Sequence, residues 1–121
     1  METLIVVSVI ILAIIIRQGM LRNSVPTMSF EVWMNQAEYR SYQCIDVRTK
    51  QEYQSGHLAK FKNIPLNQLE SQLGKIDPTK PVALMCASGM RSAQAAKILQ
   101  KHQYQVINLK GGIQAAPKDL C

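Results

Sequence analysis

Residues 82–99 constrain the fold more than any other stretch. They contain a strand pattern that is followed directly by a helix pattern. The apolar run VALM at residues 82–85 predicts a buried strand. The segment SAQAAKIL at residues 92–99 has apolar side chains at the spacing of an amphipathic helix. Because a strand followed at once by a helix is the repeating unit of parallel sheets, the stretch predicts an α/β protein.

The turn between this strand and this helix, CASGMR at residues 86–91, carries the candidate chemistry. Cys86 would face the N-terminus of the helix, where backbone N–H groups lack intrahelical partners and the helix dipole favours an anion. We therefore expect the pKa of Cys86 to lie below the free-thiol value of about 8.5. We predict Cys86 as a nucleophile, and as the anion-binding loop around it Ala87, Ser88, Gly89, Met90, Arg91 and Ser92. The alternative is that Cys86 is a small buried apolar residue.

Further strand and helix patterns alternate along the chain. Residues 42–47 are strand-like, and residues 49–52 (TKQE) form a capping box that begins a helix ending at Gly56. A short strand is predicted at residues 61–66, and Pro65 keeps it at an edge or an end of the sheet. A helix is predicted at residues 67–74. A further strand is predicted at residues 106–109, and the two glycines that follow it end it. This alternation predicts a parallel sheet with helices on both faces, and ligands of such sheets bind beyond the carboxyl ends of the strands. Asp46 and Arg48 follow one such end, and we predict them as an ion pair that supports the loop.

The N-terminal segment is apolar on all sides, which no globular helix surface would be. Residues 4–16 (LIVVSVIILAIII) are apolar apart from Ser8, and residues 1–21 together approach the length of a membrane span. We predict a transmembrane anchor at residues 1–21, a linker at 22–28 and a domain at 29–121. Arg17 and Arg22 follow the apolar run, so the positive-inside rule places the domain in the cytoplasm. The alternatives are a packed segment or a cleaved signal peptide, which the absence of a base before the run disfavours.

Composition limits the other function classes. The chain has 121 residues and a net charge of +6, with all 14 Lys and Arg after residue 16. This surplus favours an anionic membrane surface or small anionic substrates. The bases form no cluster and the aromatic residues are few, so we expect no nucleic-acid partner. Three cysteines make no disulfide framework, and no Cys/His spacing suits zinc, so we expect a reducing compartment, no metal and no cofactor.

Six separated motifs, in order, resemble the rhodanese-like single-domain sulfurtransferases. They are Asp46-Val47-Arg48, Glu52-Tyr53, Gly56-His57, Asn63-Ile64-Pro65-Leu66, Cys86-x-x-Gly89-x-Arg91-Ser92 and Asn108-Leu109-x-Gly111-Gly112-Ile113. The resemblance implies a five-stranded, mostly parallel sheet. It also implies that Cys86 takes the outer sulfur of a donor such as thiosulfate, becomes a persulfide, and passes the sulfur to cyanide or a thiol. The implied partners are therefore a small sulfur-donor anion and a thiol acceptor, including a protein thiol, together with the membrane through the N-terminal helix.

Two features of the loop refine this interpretation. Six residues from Cys86 to Arg91 form the short loop of the sulfurtransferases, whereas the related phosphatases and arsenate reductases have one residue more. Ala87 is neutral where many thiosulfate-using members have Arg or another polar residue, which weakens the case for thiosulfate as donor. A different class of function, an interaction module with little sulfur transfer, is disfavoured by the presence of Cys86, Gly89 and Arg91.

The remaining conspicuous side chains have ordinary interpretations. We predict Cys44 and Trp33 as core residues and His57 as a hydrogen-bonding residue after its helix. Cys121 is either incidental or a partner that resolves a Cys86 persulfide.

Overall fold

The computed structural model describes residues 2–23 and 25–117, with side chains described outside 17–23. Its centre is a five-stranded sheet in which every paired strand is parallel. The strands are β1 (Thr27–Met28), β2 (Gln43–Asp46), β3 (Lys62–Asn63), β4 (Val82–Met85) and β5 (Val106–Leu109), in the order β1-β5-β4-β2-β3. The predicted α/β class and the five-stranded parallel sheet are confirmed.

Four α-helices and four 3-10 turns connect and cover the strands of the described chain. The helices are α1 (Glu2–Asn23), α2 (Phe30–Met34), α3 (Lys50–Ser55) and α4 (Met90–Lys101). The 3-10 turns span Tyr39–Ser41, Leu66–Gln68, Glu70–Lys75 and Gly112–Ala115.

Strand β4 lies in the middle of the sheet and separates two apolar cores. Leu84 packs with Leu99 of α4 in the core on one face. Its neighbour Met85 packs with Phe30 and Trp33 of α2 in the core on the other face. All four residues of β4 are buried, as expected for a parallel strand covered on both sides.

Side-chain caps begin two of the helices, and the one at Thr49 was predicted from the sequence. The Thr49 hydroxyl accepts the N–H of Glu52, and the Glu52 carboxylate accepts the N–H of Thr49, so α3 begins with a complete capping box. The Ser29 hydroxyl accepts the N–H of Val32 and begins α2. Strand β3 lies at the edge of the sheet, as predicted, but it spans only Lys62–Asn63 within the predicted residues 61–66 and ends two residues before Pro65.

One local prediction is wrong, and one strand was not foreseen. Residues 67–74 form 3-10 turns instead of an α-helix, with non-helical backbone at Gln72, because short segments with Pro65 at one end and Gly74 at the other do not sustain α-helical turns. The predicted linker at 22–28 contains strand β1, which pairs with β5. A two-residue strand shows no alternation of apolar and polar residues, so the sequence carries no signal for it.

The N-terminal segment is helical, as predicted, in α1. Among the residues described, however, no helix combines the length and the apolar character needed to cross a membrane. The predicted anchor at residues 1–21 is therefore not supported, and neither is the single-pass membrane location with a cytoplasmic domain that depended on it. The apolar run at residues 4–16, which contains Ser8, rises about 20 Å as a helix, against a hydrocarbon core of about 30 Å.

Candidate active site

Cys86 follows β4 directly and is fully buried. The residues around it, 86–92, are called the Cys86 loop below. Gly89 adopts a left-handed conformation (φ +105°) at the start of α4, which turns its N–H toward the sulfur. That N–H lies 2.9 Å from the Cys86 Sγ, and the Ser92 hydroxyl oxygen lies 3.3 Å from it. The loop thus directs several hydrogen-bond donors at one sulfur atom.

These donors determine the acidity of the thiol. Burial raises the pKa of Cys86, but hydrogen bonds from the Ser92 side chain and from backbone N–H groups outweigh burial, and the pKa lies below its ordinary value of 9.0. The backbone donors are the N–H groups of Ser92, Gly89 and Ser88. Cys86 therefore has a greater tendency to ionise than an ordinary thiol.

Cys44 provides a contrast within the same molecule. It is buried in β2, and burial raises the pKa of its thiol to about 11, with only a small opposing effect of Lys60. A thiol with such a pKa remains protonated at neutral pH and is a poor nucleophile. Cys121, for which a redox role was considered, lies outside the described residues.

A second loop, after β5, closes on the first. The N–H of Ile113 donates to the Cys86 carbonyl oxygen at 2.8 Å. Gly112 has φ +60°, and a Cβ atom on it would overlap the Cys86 carbonyl oxygen and the backbone of Ala87. Sequence reasoning treated Gly112 as a strand break and missed this contact, whose one sequence signal is the pair of glycines after β5.

Asn108, at the end of β5, is another site residue that the sequence did not single out for a role. It is buried, its Nδ2 donates to the Gly89 carbonyl at 3.1 Å, and its Oδ1 accepts from the Ser92 hydroxyl at 2.5 Å. Register with β4 places it opposite Leu84, one strand away from the Cys86 loop. Asn108 thus connects Gly89 and Ser92 of the Cys86 loop to strand β5.

Arg91 makes an ion pair that the sequence did not predict. Its guanidinium binds the Glu52 carboxylate through two hydrogen bonds, one of them 2.9 Å between Nη2 and Oε2. The Arg91 contact holds the pKa of Glu52 at about 2, and the pair stays about one-third exposed. Because its charge is already balanced by Glu52, Arg91 attracts an incoming anion less strongly than a free guanidinium would.

Asp46 and Arg48 form a buried ion pair beside the end of β4. The Asp46 carboxylate accepts from the Arg48 Nε at 3.0 Å and from its Nη2 at 2.8 Å. The same Nη2 donates to the Gly56 carbonyl at 2.8 Å. The pair therefore connects the end of β2 to the segment after α3, and among the described residues neither side chain bonds to the Cys86 loop.

A cleft of about 370 Å³ opens beside Arg91. Its walls are mainly apolar and are formed by Val47, Thr49, Pro65, Leu66, Asn67 and Arg91. His57 stacks on the Tyr53 ring at 3.8 Å and its Nδ1 lies 2.9 Å from the Tyr53 carbonyl oxygen, so it has a structural position after α3. Within 2–23 and 25–117, no group of three or more His, Cys, Asp or Glu side chains is placed to hold a metal ion.

A parallel α/β sheet with an acidified thiol in a donor-lined loop at a strand end defines a class of cysteine-centred anion-binding proteins. Within that class, residues 29–117 match the model of the Rhodanese-like domain family. The chain therefore belongs to this family. Its relatives include proteins named as sulfurtransferases.

Particular relatives support the same conclusion. The chain is 44% identical over 77 residues to the uncharacterized protein YqhL of Bacillus subtilis, covering 63% of this chain and 61% of that protein. It is 31% identical over 99 residues to the thiosulfate sulfurtransferase PspE of Escherichia coli, covering 78% of this chain and 85% of PspE. The match therefore spans less than two thirds of the length of YqhL. A rhodanese-like domain protein from Staphylococcus aureus has the same fold, with a TM-score of 0.71, 25% identity, and coverage of 80% of this chain and 97% of that one.

Proposed function

We propose that this protein is a sulfurtransferase or persulfide carrier in which Cys86 holds the sulfur. The observation that carries the proposal is the sulfur of Cys86, which accepts hydrogen bonds from the Gly89 N–H and the Ser92 side chain and has a lowered pKa. The thiolate is the nucleophilic form of cysteine, and a concave set of N–H groups stabilises an anion.

The reaction consists of two displacements at sulfur. The Cys86 thiolate attacks the outer sulfur of the donor, a new S–S bond forms, and the donor's own bond to that sulfur breaks. With thiosulfate as donor, sulfite leaves with the electron pair and Cys86 carries a persulfide anion. An acceptor thiolate then attacks the outer sulfur, receives it as a new persulfide, and restores the Cys86 thiolate.

The loop residues divide the work in this proposal. The backbone of Ala87, Ser88 and Met90 surrounds the outer sulfur, and the N–H groups of Gly89 and Ser92 stabilise the charge on Cys86. Arg91 closes the end of the loop through its contact with Glu52. Since Cys86 is fully buried in this structure, the Cys86 loop must open for a donor to reach the sulfur.

The charges of the Cys86 loop and its neighbours indicate which sulfur donor is favoured. Ala87 is neutral and the charge of Arg91 is balanced by Glu52. This favours a donor whose reacting group carries less negative charge than the thiosulfate dianion, such as the monoanionic sulfur of an organic persulfide. We therefore expect thiosulfate to load Cys86 more slowly than an organic persulfide does.

Mass spectrometry of the intact protein and of its peptides tests the proposal. Incubation with thiosulfate or an organic persulfide should add the mass of one sulfur atom to the peptide that contains Cys86. Cys86→Ser should lose this addition, and Cys44→Ser should retain it, because the Cys44 thiol has a pKa of about 11. Persulfide on the Cys86→Ser variant in the same amount would contradict the assignment.

The complete burial of Cys86 favours one alternative, an interaction module with little sulfur transfer. That function predicts a wild-type protein that takes up no sulfur from either donor. The same mass measurement therefore separates the two candidates.

A further inference from the structure

The Ser92 hydroxyl has one proton and two neighbours that can accept it. Its oxygen lies 2.5 Å from the Asn108 Oδ1 and 3.3 Å from the Cys86 Sγ. Ser92 and Cys86 are fully buried and Asn108 is 4% exposed, so solvent has little access to these groups. A hydroxyl can donate only one hydrogen bond at a time. The two acceptors therefore compete for the same proton.

The orientation of the Asn108 amide follows from its other partner. The Gly89 carbonyl oxygen can only accept, and it lies 3.1 Å from one terminal atom of the amide, which must therefore be the Nδ2 donor. The remaining atom, facing Ser92, is the acceptor Oδ1. When the Ser92 proton points at the sulfur, this buried oxygen loses its partner, and a buried unpaired acceptor is costly.

We propose that Asn108 is a positioning residue that competes with the Cys86 sulfur for the Ser92 proton and so limits how strongly the loop stabilises the thiolate. The inference rests on the proposed function for its biological meaning, since it concerns the residue that would hold the sulfur. Its physical content concerns the thiol alone and does not require sulfur transfer.

The competition for the Ser92 proton would affect both displacement steps of the proposed reaction. While the negative charge resides on the Cys86 Sγ, the Ser92 hydroxyl turns to the sulfur. Once the charge has moved to the outer sulfur of the persulfide, the hydroxyl returns to the Asn108 Oδ1. Because the intrinsic nucleophilicity of a thiolate falls as its pKa falls, an acceptor that restrains the stabilisation keeps the sulfur reactive.

Other charges near the sulfur remain constant during a titration of Cys86. Arg91 of α4 has a raised pKa and stays protonated, and Glu52 of α3, with a pKa of about 2, stays ionised. The buried Asp46–Arg48 ion pair lies beside the end of β2. The pH dependence of Cys86 reactivity is therefore set by the thiol itself.

The test is the pH dependence of Cys86 alkylation, followed by mass spectrometry of its peptide from about pH 5 to about pH 10. Asn108→Leu replaces the competing acceptor with an apolar side chain of similar size. We expect it to lower the pKa of Cys86 by about 1. Well below that pKa the alkylation rate should rise by about threefold, because about tenfold more thiolate is partly offset by its lower intrinsic nucleophilicity.

A double-mutant cycle separates this effect from a general loosening of the loop. Asn108→Leu also removes the bond to the Gly89 carbonyl, and that loss is the same whether or not Ser92 has a hydroxyl. In a Ser92→Ala background, Asn108→Leu should therefore leave the pKa of Cys86 unchanged. An equal decrease in both backgrounds would overturn the proposal.

Asn108→Asp provides a second variant should the leucine variant fold poorly. It keeps an acceptor for Ser92 and adds negative charge, so it should raise the pKa of Cys86, and a decrease would overturn the proposal. If the pKa shifts occur as expected but Cys86 takes up no sulfur, the proposed function fails and the competition for the proton stands.

Discussion

The two described cysteines show how strongly environment determines the properties of one residue type. Both are buried, yet only Cys86 has hydrogen-bond donors around its sulfur, and the pKa values of the two thiols shift in opposite directions. Burial without donors disfavours the thiolate at Cys44. At Cys86 the same penalty is outweighed by N–H groups and a hydroxyl.

Gly112 gives a test at the residue scale. A methyl group at this position would overlap the backbone of residues 86 and 87, and φ +60° is strained for any other residue. We expect Gly112→Ala to lower the free energy of unfolding by about 1–3 kcal/mol. Because the overlap displaces the Cys86 backbone, persulfide formation should fall on the order of 100-fold.

Gly74→Ala is the matched control for Gly112→Ala. No atom lies within 4 Å of a Cβ built on Gly74, and its φ lies outside the left-handed region. Urea denaturation should show unchanged or slightly increased stability for this variant. Equal behaviour of the two alanine variants would mean that the contact between the two loops has no role in positioning Cys86.

At the scale of elements, Glu52 links the start of α3 to the start of α4. Its carboxylate completes the capping box with Thr49 and also binds Arg91, which is 39 positions away in the sequence. One side chain therefore joins a local motif to the Cys86 loop.

The pH dependence of stability tests this link. The pKa of Glu52 is about 2 in the folded protein against an ordinary value of 4.5, so its stabilising contribution is complete above about pH 4.5 and is lost as the pH falls through 2. Glu52→Gln preserves the capping pattern but should flatten the decline of unfolding free energy over this range.

Arg91→Met, which removes the other partner of the ion pair, should flatten the same decline. Chemical denaturation at several pH values measures both variants. An unchanged slope in Glu52→Gln would show that other carboxylates control acid unfolding.

At the scale of the whole molecule, stability depends on two cores that meet at β4. Leu84 belongs to the core that α4 covers, and Met85 belongs to the core that α2 covers. The strand that carries Cys86 is therefore held from both sides, which gives the loop a rigid base.

Leu84→Ala measures the contribution of one core. The side chain is fully buried, so we expect a loss of about 2–5 kcal/mol in the free energy of unfolding from lost burial and the cavity left behind. Val32→Ala, at a side chain that is 54% exposed, should change stability by less than about 0.5 kcal/mol. A loss at Leu84 as small as that at Val32 would contradict the packing of β4.

Local signals accounted for much of the fold. The apolar run of β4, the capping box of α3 and the glycines after β5 each depend on neighbouring residues, and each prediction matches the structure. Strand β1 and the 3-10 turns at Leu66–Gln68 and Glu70–Lys75 escaped prediction because they are short and take their form from the elements beside them.

The sequence by itself determined that a thiol would end a buried strand in front of a helix, because that arrangement follows from residues within a few positions of Cys86. The tertiary structure alone decided which groups surround the thiol. Asn108, Gly112 and Glu52 approach the Cys86 loop from other elements. Their contacts depend on strand register and on where the start of α3 lies relative to the start of α4. Hydrogen bonds of about 3 Å form only when distant segments are placed to within a fraction of that distance.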